Sequence, residues 1–205
     1  MILTQRFCLI GAIGLILALA IQPSSSRAEV SGKKAETFIS GLADQAIEAM
    51  TTPNVPQPDR VKRFKILLNE NFAVKTIARY VIGRYWKRAT KSQKEEYLSL
   101  FQEMLAVSYV NRFSEYAGEN LNVTKSSISN DKDVVVHSQI VRDGTQPVSV
   151  DWQVRSKDNI NFKIVDIKVE GVSLGKTQKS EFSSVIRQNG GKVEGLLAVL
   201  RKRVN

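Results

Sequence analysis

The chain has 205 residues, with 30 Lys or Arg against 20 Asp or Glu, one His and one Cys. That length suffices for one domain with a sizeable core, or for two closely packed subdomains. One cysteine excludes a disulfide-stapled extracellular module and any cysteine-rich metal site, and a formal charge of +10 points to anionic surfaces as partners.

The first 28 residues have the layout of a secretory signal. Arg6 supplies the positive start, Cys8 to Ile21 is an apolar run of 14 residues, and Ser26-Arg27-Ala28 places small residues for cleavage after Ala28. As a helix the run is about 21 Å long, short of the roughly 30 Å hydrocarbon core of a bilayer. A cleaved leader therefore fits better than an anchor. The mature chain would begin at Glu29, without a thiol, as a soluble periplasmic protein. Cys8 lies too early in the apolar run to be a lipoprotein cysteine. An exported protein rarely meets nucleic acid, so anionic lipid or an acidic protein face is the expected counterpart of the charge. The excess is uneven. Eleven cations from Arg60 to Lys94, Arg84, Lys87 and Arg88 among them, face only Asp59 and Glu70. A solvated face that merely aids solubility is the plainer reading of that stretch.

The mature chain opens with helical patterns. Ala35, Phe38, Ile39, Leu42, Ala43, Ala46, Ile47 and Met50 form one apolar stripe. Three prolines between Thr51 and Pro58 end it. Val61, Phe64, Leu67, Leu68 and Phe72 make a second stripe; Val74, Ile77, Ala78, Val81, Ile82 and Tyr85 make a third. Thr90 with Gln93 resembles a capping box. It opens a long helix expected to reach about Tyr116 and to end at Gly118. Tyr97, Phe101, Leu105, Tyr109 and Phe113 form an i, i+4 row along it.

The pattern then changes to strands. Leu121 to Ile128 and Val134 to Arg142 are β-rich, and Asp143-Gly144 marks a hairpin turn. Val148, Val150, Trp152 and Val154 alternate with polar residues, the cleanest half-buried strand in the sequence. Ile160 to Glu170 changes its apolar face midway, which predicts a bulge or burial on both sides. Two short helices follow, one with Phe182, Val185 and Ile186 and one with Val193, Leu196, Leu197 and Leu200. Asn189-Gly190-Gly191 separates them. Helices, then a four-stranded antiparallel meander, then helices predict an α+β fold.

Little in the sequence suggests catalysis. His137 stands alone in a strand and no metal-ligand spacing is present. No G-x-S-x-G elbow, phosphate loop or cofactor motif occurs. His137, Asp151 and Asp166 are the only polar residues that an enzymatic reading could use. What remains is an aromatic and aliphatic interior, and periodicity alone does not separate a filled core from a lined cavity.

Several blocks taken together resemble one family. They are Ile77-Ala78-Arg79-Tyr80-Val81-Ile82-Gly83-Arg84-Tyr85-Trp86, the helix end from Tyr109 to Gly118, and Val150-Asp151-Trp152. The closing block from Asp166 to Phe182, with Val169-Glu170-Gly171-Val172-Ser173-Leu174 at its centre, and the tail from Asn189 to Leu200 complete the set. Together, in this order and behind an export signal, they resemble the MlaC-like periplasmic lipid carriers, also called toluene-tolerance or ABC-transporter auxiliary proteins, over roughly Glu36 to Arg201.

The resemblance implies one carrier domain over 29–205. It would have a helical part at about 33–117, an NTF2-like sheet part at about 120–170 and closing helices at about 177–202, with an apolar lipid cavity between sheet and helices. It implies a phospholipid held by its acyl chains and no cofactor or metal. The implied partners are an outer-membrane lipoprotein–porin complex and an inner-membrane ABC transporter with an MCE-domain subunit, served by a monomeric shuttle. On that reading Val150, Trp152 and Val154 form the sheet wall, and Phe101, Leu105, Tyr109 and Phe113 the helical wall. Tyr80 and Trp86 stand at the mouth and Val172 and Leu174 at the rim. Arg84, Lys87 and Arg88 dock a partner or the head group. A hopanoid or other apolar lipid as cargo, and an interaction module that carries nothing, are the alternatives.

Overall fold

The computed structural model describes residues 24–113, 118–130 and 132–204, with side chains from Ser31 onward and without that of Phe113. The apolar run of the expected leader, and Tyr116, lie outside the described residues. Ala28 falls within the first turns of α1 (Ser24–Thr51).

The first stripe buries as its spacing requires: Ala35, Ile39, Leu42 and Met50 are all but inaccessible. The helix stops at the proline stretch, where the hydroxyls of Thr51 and Thr52 donate back to the carbonyls of Ile47 and Glu48. Helix α2 (Gln57–Asn71) carries Pro58 in its first turn, where the missing N–H has no helical partner to lose. Helix α3 (Val74–Ile82) ends at Gly83, whose φ of +59° only glycine adopts without strain. A 3₁₀ turn (Gly83–Lys87) follows. Helix α4 (Lys91–Phe113) begins with the expected capping box. The Thr90 N–H donates to Gln93 Oε1 (3.1 Å) and the Gln93 N–H to Thr90 Oγ (3.2 Å), so two otherwise orphaned amides are satisfied.

The sheet is an antiparallel meander in the order β1 (Asn120–Ile128), β2 (Asp133–Val141), β3 (Val148–Ser156), β4 (Phe162–Val169), β5 (Val172–Ser173). The change of face expected in the fourth strand is a bulge. Gln153 pairs with Asp166 but Val154 pairs with Ile164, leaving Val165 as the extra residue. The fifth strand corrects the expectation of four. Glu170 (φ +48°) and Gly171 (φ +77°) are both left-handed, as a two-residue type I′ hairpin demands. They turn the chain back so that Val172 pairs with Val169. Helix α5 (Leu174–Gln188) consequently starts earlier than expected, capped by Ser173, whose hydroxyl accepts the Lys176 N–H. Helix α6 (Val193–Val204) closes the chain.

Val134, Val136, Val150, Val154, Phe162 and Ile164 share one sheet face by register. That face carries α1, with Ala35, Ile39 and Leu42 against Val134, Val136 and Val154. The opposite face is polar. A second apolar cluster is built mainly from α3, α4, α5 and α6 with Tyr85, Trp86 and Ala89 of the linking turn, around Tyr97, Phe101, Phe182 and Leu196. A third, smaller one joins Met50, Phe64, Leu68, Ala106 and Val110.

Candidate functional site

The three residues expected to form the sheet wall lie on the helix-facing side of β3. Val150 and Val154 are 3 % and 0 % exposed and Trp152 is half-buried. The Trp152 indole N–H donates to Ser138 Oγ (2.9 Å), and that hydroxyl donates to the Val150 carbonyl (2.8 Å). The polar needs of the tryptophan are thus met inside the sheet, and its ring is left as apolar surface. Val154 packs under α1, while Val150 lies towards β5, opposite Val169.

The expected helical wall divides. Leu105 is half-buried and touches both the helical cluster and the third cluster. Tyr109 is half-buried too, stacked on Phe64 at 5.6 Å between ring centroids; burial raises its phenol pKa. Phe101 does not join them. It is 1 % exposed and locked edge-on against Phe182 at 6.3 Å, with Tyr97 at 5.8 Å on another side. An i, i+4 row drifts round a helix, and Phe101 has turned into the helical core by the point where Leu105 faces the seam. The side chain of Phe113 lies outside the described residues.

The mouth and rim residues divide in the same way. Tyr80 (44 % exposed), Val172 (59 %) and Leu174 (37 %) are three of the few large apolar side chains left open. Tyr80 approaches Gly175 at the start of α5, where an added Cβ would lie 3.6 Å from its ring. Trp86 is elsewhere, packed edge-on against Tyr97 at 6.4 Å in the helical cluster. Arg84, Lys87 and Arg88 are exposed on the 3₁₀ turn and just after it. Arg84 donates to the Tyr85 hydroxyl (3.3 Å) and draws that phenol below its ordinary pKa, against the effect of burial.

Sequence reasoning placed Leu105 on the cavity wall but missed the other residues that join the clusters. Leu67 and Phe72 belong to the sheet cluster and the third cluster at once; Val74 and Leu105 link the third cluster to the helical one. Phe72 reads in sequence as the last position of a helical stripe. In the fold it bridges to Ile164, and the Ala73 N–H donates to the Ile164 carbonyl (2.9 Å), so the end of α2 is stitched to β4. No local pattern signals this. The result is a continuous apolar seam from Trp152 and Ile167 through Phe72 and Leu67 to Tyr109 and Leu105.

Residues 40–202 match the family model of the MlaC protein. The chain belongs to the MlaC family. Its fold is also that of a phospholipid-binding protein from Ralstonia solanacearum solved in complex with a phospholipid, at 23 % identity and a TM-score of 0.70, over 83 % of this chain and 96 % of that one.

In this MlaC-family chain two cavities open beside the third cluster. One of about 580 Å³ opens between α2, α4 and the end of α6, beside Val61, Lys65, Glu103 and Val107. The other, of about 240 Å³, lies beside Val55, Arg60 and Val110. The polar residues that an enzymatic reading would use are engaged structurally. Asp166 caps α5: its carboxylate accepts from Ser173 Oγ (2.6 Å) and from the Gly175 N–H (3.1 Å), where a negative charge complements the helix dipole. Asp151, His137 and Ser127 form a chain across three strands, with Asp151 Oδ1 to His137 Nδ1 at 2.7 Å and His137 Nε2 to Ser127 Oγ at 2.9 Å. These three share the polar sheet face, and neither cavity touches them. Their hydrogen bonds tie β1 to β2 and β3. Among the described residues no group of three His, Cys, Asp or Glu side chains could hold a metal ion, and no helix is long and apolar enough to cross a membrane.

Proposed function

We propose that this chain is a periplasmic phospholipid carrier, taking the acyl chains of one lipid at a time into the seam between sheet and helices. The observation that carries the reading is the family match over residues 40–202, together with the fold it shares with a protein solved with a phospholipid bound. The seam supports it physically. Trp152, Leu105 and Tyr109 lie along one apolar path, Val150 shares the helix-facing side of β3, and Tyr80, Val172 and Leu174 are open apolar residues at the α3–β5–α5 end. Loading would part the helices from the sheet along the seam while the helical cluster stays packed. Arg84, Lys87 and Arg88 lie beyond the mouth as docking residues. The partners on this reading are an outer-membrane lipoprotein–porin complex and an inner-membrane ABC transporter with an MCE-domain subunit. The leader would be removed after Ala28, giving one carrier domain over 29–205.

The energetics suit a carrier without its own fuel. Two acyl chains expose about 30 methylenes, so freeing them into water costs on the order of 25 kcal/mol. Transfer from one dry environment to another is nearly neutral, and small docking differences set the direction. The chain has no nucleotide-binding motif, so energy input falls to a partner.

The test is lipid extraction after native mass spectrometry of the protein from the cell envelope. A mass excess matching a two-chain phospholipid is expected. Leu105→Trp should lose that mass while keeping the native circular dichroism spectrum. Full lipid content in this variant would remove the seam assignment. A clean apo mass, unchanged after incubation with phospholipid vesicles, would remove the carrier reading altogether.

A further inference from the structure

Between Glu70 and Glu95 the chain has seven basic residues and no acidic one. The fold gives these cations unusual neighbours. Arg84 and Arg88 lie over the Tyr85 ring at 5.2 and 5.8 Å, Arg79 and Lys94 over the Trp86 ring at 5.5 and 5.6 Å, and Lys179 over the Tyr80 ring at 4.5 Å. None of the five makes an ion pair with a carboxylate among the described residues. Arg187 of α5 adds its field at Tyr85, and the one acid on this part of α5, Glu181, accepts from Gln178 (3.0 Å). With Asp166 held in the α5 cap and Glu181 as the acids beside it, the face keeps a clear cationic excess, and such a field favours an external anion.

The apolar rim continues into this face. Leu174 precedes Gly175, Gly175 meets Tyr80, Tyr80 meets Lys179, and Lys179 closes on Gly83, where an added Cβ would lie 3.2 Å from it. Arg84 follows directly. Open aliphatic side chains, the exposed Tyr80 ring and the cations seated on Tyr80 and on the buried Tyr85 thus form one surface. An acidic protein face alone would need only the cations. Aliphatic tips beside interfacial aromatics and basic side chains match the boundary of an anionic bilayer, where rings occupy the head-group level and cations meet lipid phosphates.

We propose that the α3–3₁₀–α5 face seats this protein directly on an anionic lipid bilayer. Tyr80, Val172 and Leu174 dip into the head-group region, and Arg84, Lys87, Arg88 and Lys179 neutralise the lipid phosphates. The seating needs no bound cargo, so it stands or falls separately from the carrier reading.

The test is flotation of the protein, as isolated and after delipidation by detergent exchange, with vesicles of phosphatidylcholine alone or with three parts in ten phosphatidylglycerol. Binding to the anionic vesicles is expected in low salt, with loss in 0.5 M salt and none to neutral vesicles. Each cation near such a surface is worth roughly fivefold in partitioning. Lys87→Gln with Arg88→Gln and Lys179→Gln should therefore weaken it on the order of 100-fold. Val172→Ser with Leu174→Ser, which leaves every charge and the core in place, should weaken it further in low salt and keeps the test open if the first variant fails to fold. Lys132→Gln with Lys157→Gln and Lys192→Gln is the charge-matched control and should bind as the parent does. Equal loss in that control would reduce the effect to net charge and overturn the proposal. So would equal binding to neutral vesicles. Absence of vesicle binding alongside salt-sensitive retention on immobilised polyglutamate would overturn it in favour of an acidic protein partner.

Discussion

The helical cluster and the sheet–helix seam are built from the same residue types and pack in different ways. In the cluster Tyr97, Phe101, Phe182, Leu196, Leu197 and Leu200 are at most 1 % exposed, and three aromatic rings interlock edge-on. Tyr97 even has its hydroxyl satisfied there, donating to the Ala78 carbonyl at 2.9 Å. Along the seam, Trp152, Ile167, Phe72, Leu105 and Tyr109 are only half-buried, and Phe72 and Leu105 each touch two clusters. Parting the seam costs apolar contact but leaves the edge-on lock of Tyr97, Phe101 and Phe182 intact. The difference separates a ring-locked core from a looser apolar junction between sheet and helices.

The comparison can be broken most directly in the core. Phe101→Ala should cost about 3–5 kcal/mol of stability, read as a lower urea midpoint, while lipid per folded molecule stays unchanged. Lost lipid in a fully folded sample would show that the cluster is part of the site.

Next in size is the acid that anchors the far side of the sheet. Asp133 is 2 % exposed and accepts from Arg155 at 2.6 and 2.8 Å, with Gln153 and Asn130 adding hydrogen bonds. The Arg155 hydrogen bonds chiefly hold its pKa down at about 2, below the ordinary 3.8 and against burial. A lowered carboxylate stabilises fully above its unfolded value and loses that effect as pH falls through the folded one. The parent should therefore lose about 2 kcal/mol between roughly pH 4 and pH 2. Asp133→Asn should begin less stable and lose less in that window, as measured by urea unfolding at each pH. An identical pH slope would remove Asp133 from the account.

Tyr97→Phe, which leaves the Ala78 carbonyl without that donor, should cost about 1–2 kcal/mol. Thr90→Ala should cost about 1 kcal/mol through the lost cap of α4; an unchanged melting curve would mean that the helix start is held by packing instead. The smallest stability effect belongs to the rim. Leu174→Ser should change stability by less than about 0.5 kcal/mol and yet slow lipid loading from vesicles. That split between stability and loading would sharpen the contrast; a large stability loss would place Leu174 in a core.

Much of the fold is legible in the sequence because its signals are local. The stripe from Ala35 to Met50, the box of Thr90 and Gln93, the alternation from Val148 to Val154 and the face change that becomes the Val165 bulge depend only on helix or strand period and on neighbouring amides. Hidden by the same logic are the strand Val172–Ser173 and the early start of α5. A two-residue strand has no period to read, and Glu170 in a left-handed turn position is an unusual residue there. The row from Tyr97 to Phe113 shows the limit within one helix, since equal spacing does not tell that Phe101 meets Phe182 while Leu105 meets the seam.

By itself the sequence determined the α+β order, the helix and strand faces, the charge-dense stretch before Thr90 and, through the order of its blocks, the family. Only the tertiary structure decided which apolar residues form a locked core and which form a seam. It alone showed that Phe72 stitches α2 to β4, that Asp166 is a helix cap, and that Arg79, Arg84, Arg88, Lys94 and Lys179 rest on rings. The physical reason is that burial against a neighbour is a property of two elements far apart in the chain, and periodicity describes only one of them.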